Sequence, residues 1–200
     1  MSDNEHQERF DEDYYHRYYS DPSTRVSTPS YYRRVARFVA AYCDYIDIPV
    51  TRILDLGCGT GELKSPLEAE FRKATYLGVE RSRHACEKYG WENDCASTFW
   101  APEPFDLVMC HDVLQYLDDK LANVALANFS TLTSQALYFS VLTQEDWDHH
   151  VDQRLTDNDV FLRSADWYRK RLRKQFRNLG GGMYLLRSHD SVVYALEGDV

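Results

Sequence analysis

The sequence predicts an α/β fold in which a mostly parallel β-sheet carries helices on both faces. Short apolar runs alternate with amphipathic stretches from about residue 50 to residue 142, which is the pattern of parallel strands connected by helices. A helix-like stretch, three consecutive glycines and further apolar runs follow, which predicts an antiparallel hairpin at the C-terminus. With 200 residues, 44% of them hydrophobic, the chain can bury one substantial core. We therefore expect a single domain.

Three parts are predicted along this domain. They are a disordered tail at 1–9, an N-terminal helical cap with the first long helix at 10–48, and the sheet with its helices at 49–200. The first eight residues contain almost no apolar side chain. Phe10, Tyr14 and Tyr18 then recur at helical spacing, so one face of a short helix should be aromatic and should cover another surface.

The helices and strands follow from capping residues and hydrophobic periodicity. Thr28 and Pro29 have the residue types of an N-cap and a first helical position, and Pro49 should end that helix. Ser65 and Glu68 form a potential capping box around Pro66. The remaining pattern predicts strands at 52–56, 76–80, 91–94, 105–110 and 136–142, helices at 65–71, 82–89, 118–131 and 167–179, and hairpin strands at 183–187 and 191–196.

Composition disfavours several classes of protein. The net charge of -9 disfavours nucleic acid as a partner, because binding a polyanion relies on clustered lysine and arginine. The five cysteines form no CxxC pair and no zinc-ligand pattern with histidine, which favours a reduced, cytoplasmic setting and no metal. No apolar stretch approaches the roughly 20 residues of a membrane span, and the polar start of the chain does not resemble a signal peptide.

The most specific motif is Asp55-Leu56-Gly57-Cys58-Gly59-Thr60-Gly61, directly after a predicted strand. Glycines at such a turn let the backbone approach a ligand, because a Cβ atom would collide with it. The next strand ends at Glu80, where a carboxylate can accept hydrogen bonds from both hydroxyls of a ribose. Glu62 stands where a dinucleotide motif has its third glycine, and its charge would repel a pyrophosphate. The spacing indicates an adenosyl ligand without a pyrophosphate.

These residues resemble the first motif of the class I S-adenosylmethionine-dependent methyltransferases, and the resemblance covers about 52–142. It implies a Rossmann-like, seven-stranded sheet and S-adenosyl-L-methionine as cofactor, converted to S-adenosyl-L-homocysteine. Asp55 would help to hold the methionine part of the cofactor and Glu80 the ribose. The resemblance also implies cofactor contacts from Gly57, Cys58, Gly59 and Gly61, and from Asp94 and Cys95, which follow the third strand where the family commonly binds the adenine amino group. Arg81 stands where the family often has an apolar residue beside adenine, and its guanidinium would stack on the base instead.

The stretch 105–117 is similar to the family's fourth strand and the turn after it. Ligands of open parallel sheets bind beyond the carboxyl ends of the strands, so Cys110, His111 and Asp112 should face the reacting methyl group. His111 is the first candidate for a catalytic base, because an imidazole takes up a proton near neutral pH. Alternatively, His111 only packs against the cofactor and shapes the pocket.

Two further segments contribute candidates. The long polar connection at 144–159 carries His149 and His150, which are candidate bases or substrate contacts; their spacing is not specific for a metal. The tyrosine-rich segment at 13–20 contains Tyr19 and either packs on the sheet or, as in many small members of the family, closes over cofactor and substrate. In the second case Arg25 would reach the carboxylate of the cofactor.

The predicted function is methyl transfer from S-adenosylmethionine to an oxygen, nitrogen or sulfur atom of a small molecule by in-line displacement. The chain lacks the N-P-P-Y or D-P-P-Y segment and the Pro-Cys pair that methyltransferases acting on DNA bases contain. Two alternatives stay open at this point: an NAD-linked oxidoreductase, and a module that binds the cofactor or a partner protein without catalysis. The acceptor and the oligomeric state are not predicted.

Overall fold

The sheet has seven strands, of which five are parallel. A computed structural model describes residues 9–194 and residue 196. The strands are β1 (Arg52–Leu56), β2 (Thr75–Glu80), β3 (Glu92–Asn93), β4 (Phe105–His111), β5 (Thr133–Ser140), β6 (Phe176–Gly180) and β7 (Met183–Leu186). Their order in the sheet is β3-β2-β1-β4-β5-β7-β6, and β7 runs antiparallel to both of its neighbours. The predicted fold class is confirmed.

Seven α-helices accompany the strands in the described part of the chain. They are α1 (Glu12–Tyr15), α2 (Pro29–Tyr45), α3 (Lys64–Glu70), α4 (Arg83–Tyr89), α5 (Asp119–Leu132), α6 (Gln144–His149) and α7 (Ala165–Leu172). A π-helical turn, His16–Ser20, continues α1, and a 3-10 turn, Leu114–Tyr116, precedes α5. No helix among the described residues is long and apolar enough to cross a membrane.

Both faces of the sheet are covered, because the central strands turn apolar side chains to both of them. In β4, Val108 and Cys110 belong to the core beneath α5 and α7, whereas Leu107 and Met109 belong to the core beneath α2 and α3. All four side chains are fully buried. This is the pattern of a parallel strand buried on both sides. The carboxyl ends of β1, β2 and β4 are thereby held at one edge of the sheet, where the order of the strands reverses.

Local sequence signals account for several helix ends. Thr28 caps α2 by accepting a hydrogen bond from the backbone N–H of Tyr31, as predicted from the Thr-Pro pair. Helix α2 ends at Tyr45, before Pro49, so the proline does not terminate it directly. The predicted capping box at Ser65 is wrong: α3 begins one residue earlier, at Lys64, and no side chain caps it.

The C-terminal hairpin is shifted relative to the prediction. The predicted helix at 167–179 ends at Leu172, and the next apolar residues, Phe176 and Leu179, lie on strand β6. Their spacing of three residues would place both on one face of a helix, whereas in the strand they lie in the cores on opposite faces of the sheet, and pairing with β7 fixes the strand. The glycines at 180–182 form the hairpin turn, all with positive φ, rather than a helix stop. Residues 191–194 form no strand, and residue 195 lies outside the described residues.

The N-terminal aromatic segment, defined as residues 10–20, lies over the carboxyl edge of the sheet. Its predicted aromatic face is present: the ring of Tyr14 lies 4.9 Å from that of Phe10 and 4.8 Å from that of Tyr18. The hydroxyl of Ser82, at the end of β2, donates to the backbone oxygen of Phe10 at 2.5 Å. The segment therefore rests on the sheet at the place where the glycine motif lies. Of the predicted tail at 1–9, residues 1–8 lie outside the described residues, whereas Arg9 is described and pairs with Asp157 at 2.6 Å.

Candidate functional site

The glycine motif forms a tight loop between β1 and α3. Gly57, Gly59 and Gly61 all have positive φ angles, between 54° and 81°. The loop is anchored to β2, because the backbone N–H groups of Gly57 and Cys58 both donate to the carbonyl oxygen of Val79, at 2.7 and 3.2 Å. The loop thus stands beside the end of β2, where Glu80 lies.

Glu80 links the glycine loop to the start of α4. Its Oε2 accepts a hydrogen bond from the N–H of Gly59 at 2.8 Å, and its Oε1 accepts one from the N–H of Ser82 at 2.8 Å. The residue is only 7% exposed, and burial raises the pKa of its carboxyl group, although the two N–H donors act in the opposite direction. Because each carboxylate oxygen has more than one lone pair, Glu80 can still accept hydroxyl groups of a ligand.

Asp55 lies below the loop and outside the open space. It is 2% exposed, and the hydroxyl of Tyr76 donates to its Oδ2 at 2.6 Å. Burial raises the pKa of its carboxyl group to about 6, against the lowering effect of the tyrosine hydroxyl. Its predicted contact with the methionine part of a cofactor stays a prediction.

A narrow cleft lies between the glycine loop and the N-terminal aromatic segment, and we call this space the cofactor cleft. Its free volume is about 60 Å³, which is room for roughly four water molecules. The cleft is lined by Phe10, Tyr14, Tyr15, Tyr19, Gly57, Gly59, Glu80, Arg81, Asp94, Cys95, Ala96, Asp112, Val113, Tyr116 and Leu117. The aromatic segment fills most of the space above the glycine loop.

The structure separates the predicted cofactor residues into two groups. Six of them line the cleft with Tyr19, and they come from the glycine loop and the ends of β2 and β3: Gly57, Gly59, Glu80, Arg81, Asp94 and Cys95. The others, namely Asp55, Cys58, Gly61, Cys110, His111 and Arg25, are not among its lining residues. Burial explains two of these, because Cys58 is 9% exposed and Cys110 is fully buried. For Cys58 and Cys110, burial also raises the pKa of the thiol.

Trp91 is a site residue that the sequence places only at the start of a predicted strand, at 91–94. Its indole N–H donates to the carbonyl oxygen of Gly59 at 3.0 Å. A Cβ atom on Gly61 or Gly78 would come within 2.6 or 2.7 Å of its ring. The ring therefore holds the loop in place from outside the cleft, and the small residues at 61 and 78 are the signal in the sequence that a bulky group lies against them.

His111 ends β4 with both ring nitrogens near a protein group. Its Nε2 lies 3.0 Å from the hydroxyl of Tyr31, and its Nδ1 lies 3.3 Å from Oδ2 of Asp112. Its ring also stacks on that of Tyr138, with centroids 6.1 Å apart. The histidine side chain is 7% exposed. This arrangement fixes the ring and connects it to Asp112, and a direct contact with a substrate would require one of these partners to move.

A second cavity of about 340 Å³ adjoins the cofactor cleft, and we call it the acceptor pocket. It shares four lining residues with the cleft: Tyr14, Tyr19, Asp112 and Tyr116. The other lining residues include His111 and His150, whereas His149 is not among them. Throughout the described ranges, no group of three or more histidine, cysteine or acidic residues is arranged to hold a metal ion.

Comparisons with known proteins agree with this geometry. A family model described as a methyltransferase domain matches residues 26–180. No curated protein matches the chain. Among solved structures, the chain is similar to an S-adenosylmethionine-dependent methyltransferase from Clostridium acetobutylicum, with 21% identity over 59% of this chain and a TM-score of 0.51. The match spans 53% of that protein, about half of its length.

Two further solved structures cover more of the chain. The first is magnesium protoporphyrin IX methyltransferase from Synechocystis with bound S-adenosylhomocysteine, with 17% identity, a TM-score of 0.61, and coverage of 92% of this chain and 98% of that chain. The second is the plantazolicin methyltransferase BpumL in complex with a pentazolic analogue and S-adenosylhomocysteine, with 15% identity, a TM-score of 0.60, and coverage of 86% and 76%. These likenesses show a shared fold.

Proposed function

The chain belongs to the methyltransferase domain family, with the fold of the class I S-adenosylmethionine-dependent enzymes, and we propose that it methylates a small-molecule acceptor. The observation that carries this proposal is that the cofactor cleft and the acceptor pocket adjoin and share four lining residues. A donor in one space and a nucleophile in the other would meet beside Asp112. Positioning of this kind is the main requirement of an in-line displacement.

The residues of the cleft fit S-adenosylmethionine, which supplies an electrophilic methyl group. Glu80 lies at the end of β2, where it would hold the ribose hydroxyls, and Asp94 follows β3 beside the predicted adenine position. The backbone of Gly57 and Gly59 would lie along the rest of the ligand. No phosphate is needed in this arrangement, which agrees with a carboxylate at Glu62 close to the loop.

The N-terminal aromatic segment would act as a cover over the cofactor. About 60 Å³ of free space does not admit an adenosyl ligand, so Tyr15 and Tyr19 must withdraw from the glycine loop before the ligand enters. Atoms of both rings lie within 3.8 Å of the position that a Cβ of Gly59 would take. Once closed again, the rings would keep water away from the reacting atoms.

Calorimetric titration with S-adenosylmethionine, S-adenosylhomocysteine and NAD tests the proposal. We expect both adenosyl compounds to bind and NAD to bind at least a hundredfold more weakly. The variant Glu80→Gln should weaken S-adenosylhomocysteine binding at least tenfold, because an amide is a poorer acceptor for two hydroxyls. Glu92→Gln is the matched control, since Glu92 is exposed on the neighbouring strand β3.

Transfer itself is measured with radiolabelled S-adenosylmethionine and a broad set of small acceptors. Label should pass to a small molecule only when the folded protein is present. Preferential binding of NAD would contradict the proposal. Tight binding of the adenosyl compounds without methyl transfer to any acceptor would also contradict it and would favour a binding module.

A further inference from the structure

The acceptor pocket combines aromatic rings with carboxylates. Five tyrosines line it, together with three aspartates and two histidines, and its lining contains no lysine or arginine of the described residues. An acceptor with a carboxylate or phosphate group would therefore meet negative charge without a cationic partner. Aromatic faces and carboxylates are the groups that bind ammonium ions. The tyrosines are Tyr14, Tyr18, Tyr19, Tyr32 and Tyr116, and the aspartates are Asp112, Asp146 and Asp157.

The three aspartates differ in the partners that their carboxylates already have. Asp157 forms an ion pair with Arg9, at 2.6 Å. Asp146 accepts a hydrogen bond from the hydroxyl of Thr143 at 2.6 Å and belongs to the capping box of α6. Asp112 forms no ion pair with a lysine or arginine in the described part of the chain; its carboxylate contacts His111 and the hydroxyl of Ser140. Asp112 is therefore the carboxylate whose charge is most available to a ligand.

Asp112 is also held at the junction of the two cavities. It lines both the cofactor cleft and the acceptor pocket. Its φ angle is 56°, a left-handed conformation that aspartate tolerates better than most residues. The backbone N–H of Asp112 donates to the carbonyl oxygen of Ser140 at 2.8 Å, and the Ser140 hydroxyl donates to Oδ1 at 3.2 Å. Strand ends β4 and β5 thus fix this carboxylate beside the place where donor and acceptor meet.

We propose that the acceptor is an amine, held between the tyrosine rings and Asp112 and methylated on its nitrogen. This inference rests on the proposed methyl transfer and names the acceptor class of the same site. The bound ammonium first loses a proton through Asp112 to water, which leaves a neutral amine nitrogen. This nitrogen forms a bond to the methyl carbon while the carbon–sulfur bond of the donor breaks. The bonding electrons stay on sulfur as a thioether, the positive charge moves from sulfur to nitrogen, and the product leaves as the methylated ammonium.

Charge movement explains why carboxylates favour nitrogen as the acceptor atom. Transfer to an amine creates positive charge in the acceptor pocket, and a fixed carboxylate stabilises that charge as it develops. Transfer to a phenolate or a carboxylate starts from negative charge on the acceptor, which the carboxylates of Asp112 and Asp146 would repel, since Asp157 is already paired with Arg9. Asp112 is thus proposed as a catalytic residue, whereas His111 and Ser140 position it.

Binding of three probes of similar size and different charge tests this inference. Phenethylamine, 4-ethylphenol and 3-phenylpropanoate are titrated into the full chain with saturating S-adenosylhomocysteine, and binding of S-adenosylhomocysteine itself is measured in the same preparations. We expect the cationic probe to bind at least tenfold more tightly than the neutral or anionic probe. Phenyltrimethylammonium, which cannot be methylated, should compete with phenethylamine.

The variant Asp112→Asn assigns the effect to one carboxylate, because asparagine keeps the shape and tolerates the left-handed conformation. It should bring the dissociation constants of the three probes within about threefold of one another and lower kcat/KM for amine methylation at least fiftyfold. Asp47→Asn is the matched control, since Asp47 is exposed and has a φ of 57° in the turn after α2. This control should change neither value.

The outcomes separate this inference from the proposed function. If the unaltered chain does not bind S-adenosylhomocysteine, the proposed function itself is contradicted. Normal S-adenosylhomocysteine binding with equal or weaker binding of the amine, including no amine binding at millimolar concentration, overturns the amine inference alone. Unchanged amine selectivity in Asp112→Asn also overturns it. Unfolding temperatures of the variants show whether a loss reflects misfolding.

Discussion

At the scale of single residues, burial of the Asp55 carboxyl group makes the stability of the folded chain depend on pH. Asp55 is 2% exposed and has one side-chain donor, the hydroxyl of Tyr76. Burial raises its pKa from 3.8 to about 6. The protonated form is therefore favoured in the folded state relative to the unfolded state. Its contribution to stability is fully present below about pH 4 and is lost as the pH rises through about 6.

The variant Asp55→Asn should remove this dependence on pH. Between pH 4 and pH 7, the free energy of unfolding of the unaltered chain should fall relative to that of the variant by about 2 kcal/mol, because one pKa unit corresponds to about 1.4 kcal/mol and the unfolded carboxyl is already partly ionised at pH 4. Asparagine can still accept the hydrogen bond from Tyr76. Urea unfolding of the cofactor-free protein at several pH values measures the difference. If the free energies of unfolding of the two proteins change with pH in parallel, Asp55 is ionised normally in the folded chain.

Gly61 illustrates a contact that only the folded structure reveals. Its φ is 81°, and an added Cβ would lie 2.6 Å from the ring of Trp91. Gly90 has a similar φ of 75° but no atom within 4 Å of the same position. Both Gly→Ala substitutions strain the left-handed backbone, which lowers the free energy of unfolding by about 1–2 kcal/mol. Gly61→Ala should lower it by roughly a further 1–3 kcal/mol, because the new methyl group overpacks against Trp91.

Thermal unfolding of Gly61→Ala and Gly90→Ala measures this difference. Gly61→Ala should also weaken S-adenosylhomocysteine binding, because moving Trp91 disturbs its hydrogen bond to the carbonyl oxygen of Gly59. Equal destabilisation by the two substitutions would mean that the loop and Trp91 adjust without cost. Neither side chain is charged, so electrostatic effects do not complicate the comparison.

At the scale of elements, the N-terminal aromatic segment is tied to the connection after β5 through Arg9. The guanidinium binds Asp157 at 2.6 Å and Asp159 at 3.0 Å, and it lies 5.3 Å from the ring centroids of both Phe10 and Tyr116. The side chains of Arg9 and Asp157 are only 15% and 10% exposed. Removing the arginine would leave a buried carboxylate without its partner, which is costly.

We therefore expect Arg9→Ala to loosen the aromatic segment. Amide hydrogen exchange in residues 10–20 should rise about tenfold, while exchange in β1 and β4 stays unchanged. Arg154→Ala is the control, because Arg154 pairs with Asp152 at 2.7 Å on the surface and its side chain is 88% exposed. If the two variants exchange alike, the segment is held by its aromatic contacts rather than by Arg9.

Elements with a strong local signal were predictable, and the others depended on tertiary pairing. The glycine motif and Glu80 follow from the sequence, because a strand end fixes the position of the residue after it. That residues 176–180 form a strand does not follow, since the spacing of Phe176 and Leu179 suits one face of a helix and only pairing with β7 makes the segment a strand. The contacts of Trp91 and Tyr31 with the site could not be predicted, because they join segments far apart in the sequence.

At the scale of the whole molecule, the reaction rates of the five cysteine thiols report which parts of the chain open. Cys43, Cys58, Cys86 and Cys110 are buried, whereas Cys95 is partly exposed and lines the cofactor cleft. Cys43 lies in α2, in the core on one face of the sheet, and should react only when that core unfolds. Cys95 should react whenever the aromatic segment leaves the cleft, because little free space is present while the segment covers it.

Alkylation with N-ethylmaleimide should therefore modify Cys95 first under native conditions, at least a hundredfold faster than Cys43, because opening a segment costs less free energy than unfolding a core. Saturating S-adenosylhomocysteine should slow the reaction of Cys95 at least tenfold, since a ligand in the cleft holds the segment closed. Mass spectrometry of peptides follows each thiol, and Cys95→Ser should remove the fast phase. Equal rates for the two thiols would show that the cleft opens only when the whole chain unfolds, which contradicts a separate movement of the aromatic segment.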